Sequence, residues 1–161
     1  MRPLAPKGGN DKIYTPPWLA KVIIDHFNPV GRILEPCKGS GAFTDILQCD
    51  WCEIDEGLDF FTAEGRYDWI VTNPPWSKFR AFLNKSMEIA DNIVFLSLVN
   101  AFWMKARLRD VKQNGFAIKE ILLVKTPEKP WPQTGFALGA THIQRGYKGD
   151  IKLSGGEVNI K

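Results

Sequence analysis

Apolar positions along the chain recur with two periods, and their alternation suggests the architecture. From Trp18 to Phe27, Leu19, Val22, Ile23 and Phe27 fall near helical spacing behind Thr15-Pro16-Pro17, which predicts a first helix ended by Pro29 and Gly31. Short apolar runs then alternate with helical stretches. Strands are expected at 32–35, 51–54, 69–72 and 93–98, with helices over 41–48, 78–90 and 103–113 between or after them. Beyond Gly115, the segment 116–124 reads as a strand, 125–133 as a proline-rich loop and 136–144 as a final strand lying beside it. Strands separated by helices imply a parallel sheet covered on both faces, an α/β fold.

A chain of 161 residues with 44% hydrophobic residues fits one compact domain. The expected division is an N-terminal arm over 1–12, a catalytic domain over 13–150 and a tail over 151–161, with no separate target-recognition domain. The arm carries prolines, glycines and three basic side chains and can bury little surface. No apolar run is long enough for a membrane span and no secretory leader is readable, so the expected compartment is the cytoplasm. A net charge of +3 is compatible with a polyanionic partner without identifying one. The helix at 103–113 carries Lys105, Arg107, Arg109 and Lys112, a face that is either simply solvated or touches nucleic acid. Cys37, Cys49 and Cys52 are odd in number and do not form a disulfide framework; Cys49 and Cys52 lack the second ligand pair that structural zinc needs. No metal is expected.

Candidate chemistry begins at Ile33-Leu34-Glu35-Pro36-Cys37-Lys38-Gly39-Ser40-Gly41, a strand entering a glycine-rich turn where the backbone can approach a ligand. The dinucleotide GxGxxG pattern is absent, because Thr44 stands where its third glycine would be. Glu53 lies 14 residues after Gly39, at the end of the next strand, where a carboxylate can accept both hydroxyls of a ribose. Asp59 can accept a hydrogen bond from an adenine amino group while Phe60 supplies apolar contact.

The most informative segment is Asp68-Trp69-Ile70-Val71-Thr72-Asn73-Pro74-Pro75-Trp76. Two prolines directly after a buried strand fix the backbone so that a carbonyl and the Asn73 side chain can converge on one NH2 group. Two acceptors there favour a pyramidal nitrogen whose lone pair faces an electrophile. Trp76 offers a face for a base to stack on.

On these residues the chain resembles the amino-methyltransferases of the Rossmann-like class I fold, especially adenine-specific DNA methyltransferases with an NPP(Y/F/W) loop, and among them the small stand-alone enzymes of phages and prophages. The match runs from Tyr14 through Arg145. By resemblance, Tyr14-Thr15-Pro16 is the N-terminal cofactor motif, Glu35-Pro36 through Gly39 and Gly41 the glycine loop, Glu53 the ribose acid, Asp59 with Phe60 the adenine contact, and Asn73-Pro74-Pro75-Trp76 the catalytic loop. The implied cofactor is S-adenosyl-L-methionine. The implied fold is a seven-stranded, mostly parallel sheet with one antiparallel strand and helices on both faces.

Target contacts are expected from Trp76, Ser77 and Lys78 and from Lys129, Trp131 and Phe136 in the 125–136 loop, unless that loop is only a proline-rich connection. A protein partner or self-association can also supply recognition. The favoured partner is nucleic acid, DNA before RNA, with the base flipped from a duplex. The same loop type serves RNA adenine or guanine amines and protein glutamine amides, and a catalytically silent nucleic-acid-binding protein of the same fold is the alternative outside enzymology.

Overall fold

The computed structural model describes residues 13–155; the expected arm at 1–12 lies outside them. Helix α1 (Pro17–Phe27) starts on a proline, whose missing N–H costs nothing in the first turn, and stops where Asn28 takes a left-handed φ of 45°. It buries Leu19, Ala20, Ile23 and Ile24, while Val22, expected on the inner face, is 40% exposed. Strand β1 (Ile33–Glu35) is buried throughout, and β2 (Asp50–Trp51) pairs parallel to it. Next come β3 (Tyr67–Thr72), α2 (Phe79–Ile89), β4 (Ala90–Leu98), α3 (Lys105–Gln113), β5 (Phe116–Val124), β6 (Leu138–Arg145) and β7 (Lys152–Ser154).

The strands form one sheet in the order β2-β1-β3-β4-β6-β5-β7. β6 runs antiparallel to both β4 and β5, and every other pairing is parallel. This is the expected mixed seven-stranded sheet. Its two faces bury separate apolar layers. On one, Phe79, Phe82, Leu83 and Met87 of α2 and Val111 of α3 pack on Ile70, Ile93, Phe95 and Ile118. On the other, α1 covers Ile33, Val71, Val94, Leu96, Leu122 and Ala140. Burial from both sides explains why β4 reads as the unbroken apolar run Ile93-Val94-Phe95-Leu96 rather than an alternation.

Three sequence expectations change. The helix expected over 41–48 is a series of turns: Asp45 and Leu47 bond back to Gly41 and Phe43 at 2.8 Å, but Ile46 bonds three residues back and the ladder stops. The Thr44 hydroxyl competes for the Gly41 carbonyl, and eight residues cannot propagate a helix that packing does not enforce. Ala42 and Phe43 still bury against the α1 face. The strand expected over 51–54 covers only Asp50–Trp51, because the Glu53 carboxylate accepts from Asp55 N–H and caps a 3-10 turn at Ile54–Glu56. Finally, the sheet continues past residue 150: Lys152–Ser154, placed in the tail by sequence, pair parallel with Glu120–Leu122.

Candidate active site

A cavity of about 460 Å³ opens at the carboxyl ends of β1 and β3, where α/β folds bind ligands. Its volume lies in the roughly 300–1,000 Å³ range of small-molecule sites. Five separate segments line it: Ile13-Tyr14-Thr15, the turn after β1, the stretch from Glu53 to Phe61, Asn73 with Pro75, and Lys78 with Phe82 of α2.

The turn after β1 works through its backbone. Gly39 has φ +57°, and a Cβ there would stand 3.1 Å from Cδ1 of Tyr14, so a side chain would crowd the cavity wall. The Gly39 N–H donates to Glu53 Oε2 at 2.8 Å, which joins the turn to the acid after β2. Asp59 holds the next turn by accepting from Phe61 N–H at 2.9 Å, and its neighbour Phe60 is buried against Phe82 with ring centroids 5.1 Å apart.

Below the cavity floor lies Glu35, 1% exposed. One of its oxygens accepts the Thr72 hydroxyl and, at 2.7 Å, the Cys37 N–H; the other has no partner. Burial pushes this carboxyl well above the ordinary carboxylate range, and neighbouring Glu53 adds to the shift that the two hydrogen bonds oppose. Glu35 ends β1 and Thr72 ends β3, so this bond links the strand that enters the glycine turn to the strand that enters Asn73-Pro74-Pro75-Trp76. Burial likewise pushes the Cys37 thiol up, and Cys49 to about 11. All three cysteines are free thiols.

Asn73 is the most exacting residue of the site. Its Nδ2 donates to the Ile13 carbonyl at 3.3 Å, but Oδ1 is buried without a partner. An unmade bond at a buried acceptor costs roughly 1–3 kcal/mol, and it faces no protein donor that could offset that cost. The charges around it are lopsided: Glu53, Asp55, Glu56 and Asp59 line the cavity against Lys38 and Lys78, and Lys38 is paired with Glu56 at 3.3 Å.

No protein-family model and no curated protein matches this sequence. Solved structures do match it. One is a Listeria monocytogenes protein described as a class I S-adenosylmethionine-dependent methyltransferase, with a TM-score of 0.61 at 9% identity over 84% of this chain and 62% of that one. Another is the magnesium protoporphyrin IX methyltransferase of Synechocystis with bound SAM, TM-score 0.54 at 13% identity over 78% and 75%. A third is the 23S rRNA methyltransferase ErmE, TM-score 0.55 at 18% identity over 75% and 65%. The chain has the class I methyltransferase fold.

Within that class I fold, Tyr14, Thr15, Pro36, Gly39, Glu53, Asp59, Phe60, Asn73, Pro75 and Lys78 meet at one cavity. Glu35, Gly41, Pro74 and Trp76 are not part of its wall: Glu35 acts from beneath, Gly41 and Pro74 are buried, and Trp76 packs aside. Ser77 is exposed on the outer side of the same turn. The 125–136 loop divides. Trp131 is 3% exposed and meets Trp76 edge-on with centroids 6.1 Å apart, whereas Lys129 and Phe136 are exposed. Gln133 fastens that loop by donating to the Pro127 and Trp131 carbonyls at 2.9 and 2.8 Å. Sequence reasoning placed Lys38 in the glycine-rich turn without a role of its own, and missed Phe82 and the Thr72 bond to Glu35. The polar Thr72 at the end of an apolar strand, directly before Asn73, was the available signal.

Proposed function

We propose that the protein transfers a methyl group from S-adenosyl-L-methionine to the exocyclic N6 amine of adenine in nucleic acid, with DNA as the preferred polymer. The carrying observation is Asn73 Oδ1, a buried acceptor without a donor at the cavity formed by the glycine turn and the catalytic loop. A planar NH2 group is the complement to such an acceptor.

The cavity suits the cofactor. Four carboxylates favour a cationic ligand and disfavour one bearing phosphates, and the Gly39 backbone leaves space that any side chain would fill. Glu53 and Asp59, both at the cavity, are the candidates to bind its ribose and adenine, with Phe60 and Phe82 as apolar wall. Bound there, S-adenosylmethionine supplies an electrophilic methyl group on a sulfonium. Asn73 accepts one hydrogen of the target amine, and a backbone carbonyl of the Asn73-Pro74-Pro75 turn is the candidate for the other. The two draw the nitrogen toward a tetrahedral geometry with its lone pair free for attack. The nitrogen starts neutral, so no strong base is needed to begin, and the proton displaced by methylation leaves to water. RNA is the second reading, favoured by the similarity to a 23S rRNA methyltransferase.

The test is incubation with isotopically labelled S-adenosylmethionine and, separately, adenine-containing DNA and RNA, followed by nucleoside mass spectrometry. Labelled N6-methyladenine in DNA is expected. Asn73→Ala should lower turnover by orders of magnitude with cofactor affinity retained, while Asp59→Ala mainly weakens the cofactor. Equal loss of cofactor binding in both variants contradicts this division of labour.

A further inference from the structure

The basic face of α3, and the aromatic step that leads into it, take no part in the reaction proposed above. Lys105, Arg109 and Lys112 lie along one exposed face of the helix, and none has an ion-pair partner among the described residues. The helix has a single carboxylate, Asp110. It is turned inward, 8% exposed, and is neutralised by a bidentate contact from Arg80 at 2.6 and 3.0 Å. A basic stripe by itself is commonly just a solvated face. Two further observations set this one apart.

The residues directly before the stripe, Trp103 and Met104, are 46% and 56% exposed, an indole and a thioether standing in solvent beside cations. This surface is also fastened to the first turn of α2, the segment leaving Asn73-Pro74-Pro75-Trp76. Phe102, fully buried next to Trp103, meets Phe79 edge-on with centroids 5.0 Å apart. The Arg107 guanidinium lies 4.6 Å over the same ring. With the Arg80–Asp110 pair, three contacts fix the stripe relative to the catalytic loop.

We propose that this surface is a track for single-stranded nucleic acid, on which Trp103 stacks with a base flanking the target and Lys105 and Arg109 meet phosphates. The inference rests on the nucleic-acid reading of the site and adds the state of the substrate. A duplex keeps its bases inside its own stack and offers an exposed indole little to stack on. An unpaired strand offers both partners that this surface wants, π-faces and phosphates.

The test is fluorescence anisotropy of a labelled, adenine-containing DNA strand and of the duplex of the same sequence, titrated at several salt concentrations. The single strand should bind more tightly. Trp103→Ala should weaken strand binding roughly 5- to 150-fold, with cofactor affinity and thermal midpoint unchanged because the side chain is half in solvent. Lys105→Gln and Arg109→Gln should each lower the log–log salt slope by about 0.7. Duplex binding as tight as strand binding, or a Trp103→Ala protein that binds the strand normally, overturns the track. Methyl transfer to DNA by that same variant at unchanged strand affinity would sink the track and leave the proposed reaction standing. The expected binding pattern in a protein that transfers no methyl group would do the reverse.

Discussion

Two buried titratable groups pull stability in opposite directions with pH, and the structure fixes the sign of each. His142 on β6 is 4% exposed, stacks on Trp69 with centroids 4.9 Å apart and shares Asn92 Oδ1 with Gln144 at 3.0 and 2.9 Å. Burial, helped by Lys119, lowers its pKa from 6.5 to about 4. Below 6.5 the unfolded imidazole therefore takes a proton that the native one refuses until about 4, and stability falls as pH falls through that window. At about 1.4 kcal/mol per pH unit, the whole window amounts to about 3 kcal/mol. Glu35 acts the other way. Above its ordinary value of 4.5 the unfolded carboxyl ionises while the buried native one keeps its proton, so stability falls as pH rises, with the same limiting slope. The other carboxylates the fold shifts, Asp110 and Glu120, are lowered and act below this window; the cysteines and Tyr67 act above it. The wild-type protein should thus show little net slope between pH 4.5 and 6.5. His142→Gln should uncover a loss of up to about 1.4 kcal/mol per unit as pH rises, and Glu35→Gln a gain of similar size. Urea denaturation of the three proteins at half-unit steps measures this directly. Parallel stability curves for all three would refute the opposing pair.

Gly39→Ala places a methyl group against Tyr14 at a left-handed position, a cost of about 1–2 kcal/mol; cofactor affinity by calorimetry should fall roughly tenfold, with the fold retained by circular dichroism. Trp131→Ala removes a buried indole from the wall that supports Trp76 and should lower unfolding free energy by about 3–5 kcal/mol in chemical denaturation. A loss under about 1 kcal/mol would mean the loop is not packed as described.

What the sequence made legible followed from strong local rules. The apolar runs of β4 and β5 and the two prolines after β3 admit few conformations, and most of the residues expected at the cofactor line one cavity. The turns at 41–48 were misread because Ala42, Phe43 and Leu47 mimic helical spacing, while only packing could reveal that Ile46 stays 44% exposed and the bond ladder breaks. Trp131 could not be assigned from sequence, since a tryptophan among prolines and lysines reads equally as a binding face and as a plug. The Thr72–Glu35 link escaped for a different reason: a polar residue closing an apolar strand signals that it has a partner but does not name one 37 positions away.

The short strand at 152–154 covers part of one edge of the sheet. β5 is a nine-residue strand rich in isoleucine, leucine and valine, and without a neighbour its outer backbone would be an open template for another chain. Only Glu120, Ile121 and Leu122 are paired with β7, which is closed off where Gly155, at φ +82°, passes so near Leu123 that a Cβ would sit 2.5 Å from its carbonyl oxygen. Three residues and one glycine therefore cover the middle of that edge, and trimming the chain before Lys152 should raise self-association, read by light scattering, without touching a single cavity residue.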